Sequence, residues 1–291
     1  MRRTPRALIS AVALLGLFVA SCGSDDSDSS AATSTEAATT QPPATDAPTT
    51  EAPTTAPTTV ASTVPAVSGA VTVFAAASLT AAFTEIGDAF MVENPDAEVT
   101  LNFAASSELV TQIGEGAPAD VFASADLSNM TKLTDAANNA SEPVVFATNR
   151  AEIIVGPGNP EGITGIADLT NEDLIVVLCA PEVPCGKYAA TIFENAGVIV
   201  TPKSLEENVK AVVTKVTLGE ADAGIVYATD VTAAGDQASG VEIPADINVD
   251  AEYPIAVTKE APNADGAQAF IDFVLSEQGQ KILASYGFLA P

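Results

Sequence analysis

From Ala70 to the C-terminus, short apolar runs of strand length alternate with stretches whose apolar residues recur at helical spacing. That alternation commits a chain to an α/β domain, because each helix must cover a sheet face and the strands it separates come out mostly parallel. The pattern has a repeated detail. Val71–Ala75 reads as a strand that stops at Ala75-Ala76-Ala77, and Ser78-Leu79-Thr80 opens a helix with apolar Phe83, Ile86 and Phe90. Glu98–Phe103 is a second strand, and Ala104-Ala105-Ser106-Ser107 again passes through small residues and a serine into a helix reaching about Gly114. A serine at an N-cap places its hydroxyl beside the free N–H groups of the first turn, a combination that holds anions. Ser78 or Ser106 alone reads more readily as a plain cap; it is their recurrence at two such junctions, taken with the family resemblance given below, that makes the pair a candidate site.

The remaining chain continues the alternation. A strand at Val121–Ala123 precedes a helix from Asp126, its N-cap, to about Asn138, while Asp120 reads as a turn residue. Strands are expected at Val144–Thr148 and Glu152–Val155, with a crossing between lobes near Asn149. A short helix Ile166–Leu169, a strand Leu174–Cys179 and helices Lys187–Asn195 and Ser204–Thr217 follow. In the last of these Val209, Val212, Val213 and Val216 form an apolar stripe that reads as core. Ala223–Tyr227 is a strand, with Tyr227 a packed strand-end aromatic by itself, and Ala228-Thr229-Asp230 opens another helix. Tyr253–Thr258 returns to the first lobe, helices Pro262–Leu275 and Glu277–Ser285 close the domain, and Phe288 and Leu289 dock on that lobe. Two lobes joined by two crossings make a hinged clamshell. Lobe 1 takes about 70–148 plus 251–291, and lobe 2 about 149–250.

Composition removes most chemistry from consideration. The chain has 291 residues, with 38 acidic against 11 basic and no histidine. Nucleic acid is excluded as a partner, since phosphate backbones need clustered Lys and Arg. Without histidine there is no Ser-His-Asp triad and no His-ligated metal. A serine hydrolase using Ser78 or Ser106 lacks a base, because no lysine lies near either serine in sequence. The three cysteines lack metal-site spacing. Cys179 and Cys185 bracket Ala180-Pro181-Glu182-Val183-Pro184, and in an exported protein such a pair is expected to bridge. So short a ring is worth about 2 kcal/mol by loop entropy. Lys187 reads as a solvated surface residue.

Residues 1–22 form an export signal. Arg2, Arg3 and Arg6 precede an apolar run, Ala7 to Ala20, too short to span a membrane well. Val19-Ala20-Ser21-Cys22-Gly23 resembles the lipobox of bacterial lipoproteins, in which the cysteine is lipidated and becomes the new N-terminus. Residues 23–69 are a disordered linker rich in Thr, Pro and Ala, with repeated Ala-Pro-Thr-Thr. They lack the apolar periodicity needed to offset ordering entropy, and their prolines favour an extended stalk. Alone, such a stalk would also suit a structural or adhesive lipoprotein.

Residues 70–291 resemble the molybdate-binding proteins (ModA) of bacterial ABC transporters. The resemblance is carried, in order, by Val73-Phe74-Ala75-Ala76-Ala77-Ser78-Leu79, Phe103-Ala104-Ala105-Ser106-Ser107, Gly116-Ala117-Pro118-Ala119-Asp120-Val121-Phe122, Gly224-Ile225-Val226-Tyr227, Glu252-Tyr253-Pro254-Ile255-Ala256 and Tyr286-Gly287-Phe288. It implies a type II periplasmic-binding-protein fold, two α/β lobes with mixed, mostly parallel sheets and a two-segment hinge. It also implies a monomer that is not an enzyme and has no cofactor. The ligand is molybdate or tungstate, with sulfate the alternative, and molybdenum is present only as the oxyanion. The ligand set implied is the Ser78 and Ser106 hydroxyls, the Cys185 and Val209 backbone N–H groups and the Tyr227 hydroxyl. Cys185 stands where the family usually has alanine. Such a shell contains only donors, which suits a fully deprotonated oxyanion. Phosphate retaining a proton meets no acceptor there, at a cost of about 1–3 kcal/mol. The partners implied are a membrane permease and its ATPase, with the protein held at the membrane through lipidated Cys22. Replacing Cys22 by serine is expected to release the exported protein into the medium; fractionation of cells carrying the two forms checks this.

Overall fold

The computed structural model describes residues 67–291; the export signal, Cys22 and nearly all of the linker lie outside the described residues. The first half of the fold contains β1 (Ser68–Ala76), a 3-10 turn (Ala77–Leu79), α1 (Thr80–Glu93), β2 (Asp96–Ala104), α2 (Ser106–Gly114), β3 (Val121–Ala123) and α3 (Leu127–Asp135). β4 (Val144–Val155) leads into the second half. There follow a 3-10 turn (Ile166–Thr170), β5 (Val176–Cys179), α4 (Pro184–Ala196), β6 (Ser204–Glu206), α5 (Val209–Thr217), β7 (Ala223–Tyr227), α6 (Ala228–Ala234) and β8 (Ser239–Glu242). β9 (Asp250–Val257) returns, and α7 (Ala264–Leu275) and α8 (Glu277–Ser285) complete the first half.

The strands run in the order β2-β1-β3-β9-β4-β7-β5-β6, with β8 on β4. β1 pairs in parallel with β2 and β3, and β5 with β6 and β7. Every antiparallel pairing involves β4 or β9, so the sheet is more mixed than strand–helix alternation predicts. The cause is the double crossing: a strand that carries the chain out and one that brings it back must run in opposite senses. β4 is also continuous where two strands were expected. Its Val144–Arg150 stretch pairs with β9, and its Ala151–Val155 stretch with β7. The extended backbone passes straight from one half to the other, with a bulge between Val145 and Ala147.

Local chemistry explains where the elements begin. Asp126 caps α3 by accepting from the Asn129 N–H at 2.9 Å, as its position predicts. Asp120 accepts from the Thr72 N–H at 2.7 Å and the Asn263 N–H at 2.6 Å, stapling β1 to the entry of α7. Asn263 caps α7 and donates its amide to the Ser68 and Ala70 carbonyls. The expected helix Ser204–Thr217 is divided: β6 takes its first residues, and α5 starts only at Val209, capped by the Asn208 side chain at 3.1 Å from the Ala211 N–H. The asparagine stop was overridden by the valine stripe in the periodicity. α4 starts at Pro184, earlier than Lys187, because proline is suited to the first helical turn.

The first half is packed by aromatic rings. Phe270 lies 6.0 Å from Phe83 and 5.5 Å from Phe90, both edge-on. Phe146 lies 5.6 Å from Phe83 and 6.3 Å from Tyr253. Phe288 docks at 5.3 Å on Tyr253, and Leu289 exchanges backbone hydrogen bonds with Thr148. Phe270→Ala is expected to cost about 3–5 kcal/mol, since the cavity left by a fully buried ring collapses only partly. Urea unfolding measures it.

Candidate functional site

β1 and β2 end side by side, Ala76 level with Ala104, and their following turns meet residues of the second half around one small, nearly filled cavity of about 10 Å³. The first half supplies Ala76, Ala77, Ser78, Ala105, Ser106 and Ala125. The second supplies Val183, Pro184, Cys185, Asn208, Val209 and Tyr227. The five residues singled out from the sequence, Ser78, Ser106, Cys185, Val209 and Tyr227, are thus brought together, and each is buried. None of the lining side chains is charged.

Their settings differ from simple capping. Ser78 is the middle residue of the 3-10 turn and caps nothing; its hydroxyl lies 3.0 Å from the Tyr253 hydroxyl. Ser106 is the first residue of α2, following Ala105 at the cap position. Its oxygen accepts from the Ala125 N–H at 3.0 Å, which leaves its proton available to the cavity. Cys185 and Val209 lie in the first turns of α4 and α5, where backbone N–H groups have no acceptor within the helix. Tyr227 ends β7. Its N–H donates to Asp230 at 3.2 Å, and Asp230 is paired with Lys210 at 2.7 Å. Burial raises the Asp230 carboxyl, against the Lys210 ammonium and the Tyr227 N–H, which lower it.

Among the described residues, only Asn129 Nδ2 and Tyr227 Oη are buried side-chain polar atoms without a partner. Asn129 is on α3 and does not line the cavity; Tyr227 does. A buried hydroxyl left unpaired costs about 1–3 kcal/mol, so its retention calls for a function. Burial pushes the Tyr227 hydroxyl well above its ordinary value, with Tyr253, Tyr188, Asp230 and Asp126 adding to the effect. It therefore remains a donor throughout the neutral range.

Close approach shapes the second half. Cys179 and Cys185 form a disulfide that ties the end of β5 to the first turn of α4. A Cβ at Gly186 would clash with the Ala180 carbonyl, so only glycine lets the helix start sit against that loop. A Cβ at Gly224 would meet Val212 Cγ1 at 2.5 Å and the Val177 carbonyl at 2.8 Å, so glycine also lets α5 lie tight on β7. These close contacts seat the starts of α4 and α5, whose Cys185 and Val209 line the cavity.

The halves also touch directly. Lys187 on α4 pairs with Asp126 of the first half at 2.9 Å and bonds Ser128, while the Tyr188 hydroxyl donates to the Ala125 carbonyl at 3.2 Å. Lys187 is therefore a cross-cleft contact and not a free surface residue, a role that depends on a partner distant in sequence. Tyr253, Ala125 and Asn208 also escaped the sequence reading. Tyr253 stood within a quoted motif, and the signal available was a hydroxyl-bearing aromatic in an otherwise apolar strand. A larger groove of about 690 Å³ lies elsewhere, between α1 and the α7–α8 corner. Glu93, Asp272 and Glu277 among its lining make it unsuited to an anion. No cluster of His, Cys, Asp and Glu able to hold a metal ion occurs among the described residues, and no described helix is long and apolar enough to cross a membrane.

Two half-domains closed on a small, uncharged, donor-lined cavity have the form of a binding protein that captures a small solute. Residues 71–289 match the family model described as bacterial extracellular solute-binding protein. The molybdate-binding protein ModA of Mycobacterium tuberculosis is 42% identical over 221 residues, covering 76% of this chain and 85% of that protein. The periplasmic molybdate-binding protein of Azotobacter vinelandii superimposes with a TM-score of 0.66 at 19% identity, over 76% of this chain and 99% of that one. The sulfate-binding protein SubI of M. tuberculosis superimposes with a TM-score of 0.65 at 21% identity, over 75% and 86%. At those identities the two structures establish the shared fold. The chain belongs to the bacterial extracellular solute-binding proteins, alongside the ModA proteins, and is a binding protein and not an enzyme.

The buried phenols generate a pH dependence. Burial raises both Tyr227 and Tyr253, so in the unfolded chain they ionise near the ordinary value of about 10 while the folded chain keeps its protons. Their contribution to stability is complete below about pH 10 and is lost as pH rises beyond it. Phenolate absorbance of Tyr227 and Tyr253 is expected to appear only together with loss of circular dichroism; ionisation of these two residues in a still-folded protein contradicts their burial.

Proposed function

We propose that this protein captures molybdate, and equally tungstate, outside the cytoplasm and delivers it to an ABC importer, its closed halves presenting the surface met by a membrane permease whose ATPase drives uptake. One observation carries the reading: the Tyr227 hydroxyl is buried at the cavity with no protein partner, among other donors and no charged side chain. A tetrahedral dianion satisfies all of them at once. The proposed ligands are the Ser78, Ser106 and Tyr227 hydroxyls and the Cys185 and Val209 N–H groups. The identity to the M. tuberculosis ModA supports the choice of molybdate. Lipidation of Cys22 would hold the protein at the membrane, with residues 23–69 as its tether.

The magnitudes are adequate. Hydrogen bonds to a charged acceptor contribute about 1.5–3 kcal/mol each. Helix N-termini add about 0.3–1 kcal/mol each. Five donors thus reach roughly 10 kcal/mol before closure costs, against about 8 kcal/mol for a micromolar Kd. The net charge of -27 opposes anion capture at long range, so the attraction is confined to the cavity. Titration calorimetry with molybdate, tungstate, sulfate and phosphate is expected to give tight binding of the first two. The Ser78→Ala, Ser106→Ala double variant is expected to weaken it about 100-fold with the fold intact. Tight phosphate binding without molybdate heat overturns the assignment.

A further inference from the structure

A serine hydroxyl can turn either its proton or a lone pair towards a ligand, and its other neighbours decide which. Ser78 has the Tyr253 hydroxyl at 3.0 Å, in a contact buried on both sides. Tyr253 is not among the residues lining the cavity. Of the two hydroxyls the phenol is the stronger acid and so the better donor. The Tyr253 hydroxyl has no other hydrogen-bond partner among the described residues, so the phenol proton is directed to Ser78. The ring itself cannot swing away, being held edge-on by Phe288 at 5.3 Å, Tyr227 at 5.9 Å and Phe146 at 6.3 Å.

We propose that Tyr253 is a positioning residue that donates to Ser78 Oγ, turns the serine proton into the cavity, and so restricts the site to oxyanions that carry no proton. The proposal rests on the oxyanion reading given above and adds a residue that does not itself touch the ligand. Tyr253 lies on β9 opposite Ala147 of β4, where the chain crosses between halves, and its ring meets Tyr227 of the second half. The same residue therefore orients a donor in one half and packs against a donor from the other.

The test is a double-mutant cycle read by calorimetry on the full-length protein. Tyr253→Phe keeps the ring and removes the proton. It is expected to weaken molybdate binding about 10-fold and to raise the ratio of phosphate to molybdate affinity, because Ser78 is then free to accept. In a Ser78→Ala background the same change is expected to have no further effect, whereas a purely structural role would persist. Tyr253→Leu, which also lacks the hydroxyl, is read in the same cycle if Tyr253→Phe fails to fold. Unchanged molybdate affinity in Tyr253→Phe, or an equal loss with and without Ser78, overturns the proposal. Wild-type binding of sulfate in place of molybdate overturns the ligand assignment alone, and the cycle is then read on sulfate. Silence of the wild type towards all four anions overturns both.

Discussion

The structure turns on a set of buried donors that the protein does not satisfy by itself. Tyr227 keeps an unpaired hydroxyl, and the first turns of α4 and α5, whose N–H groups have no acceptor within the helix, line the same cavity. Such groups are costly to bury and have no effect on an anion if left in water, so the fold must assemble them from two sides and exclude solvent at the same time. That requirement accounts for the division into halves. Residues at the ends of β1 and β2 form one wall, and α4, α5 and the end of β7 form the other. Neutral donors also avoid an uncompensated buried charge, which would disfavour closure of the ligand-free protein.

Small residues make the assembly possible. Ala76, Ala77, Ala105 and Ala125 leave the backbone and the two serine hydroxyls exposed to the cavity. Gly186 and Gly224 permit contacts in the second half that no side chain could occupy, and the Cys179–Cys185 bridge fixes the loop that leads into α4. The positions that line the cavity are therefore defined as much by missing bulk as by polar chemistry.

The two crossings join this local geometry to the whole molecule. β4 and β9 pair across the boundary, and Tyr253 lies within that pairing. From it, edge-on rings lead to Phe146 and the first core, to Phe288 of the C-terminus, and to Tyr227 and Tyr188 in the second half. Lys187 adds an ion pair to Asp126 across the cleft. Movement of the halves must therefore rearrange contacts that include both the hinge and the cavity.

Much of this was legible in the chain itself. The repeated passage from strand through alanines to serine marked Ser78 and Ser106, because a strand-to-helix junction has the same local signature wherever it occurs. Strand and helix periods located most elements, and the composition excluded His-based chemistry outright. The errors lay where local pattern met a distant partner. The valine stripe concealed the break between β6 and α5, and the sequence break expected near Asn149 was bridged by pairing with β9. Lys187 looked solvated because Asp126 is remote in the chain, and Tyr253 drew no role of its own because its contact with Ser78 spans 175 residues. The sequence by itself determined which groups could donate and where strands give way to helices, since those are properties of short segments. Which polar groups share one cavity, and which hydroxyl lies against Ser78, only the tertiary structure decided, because those depend on neighbours brought together by the crossing of the chain.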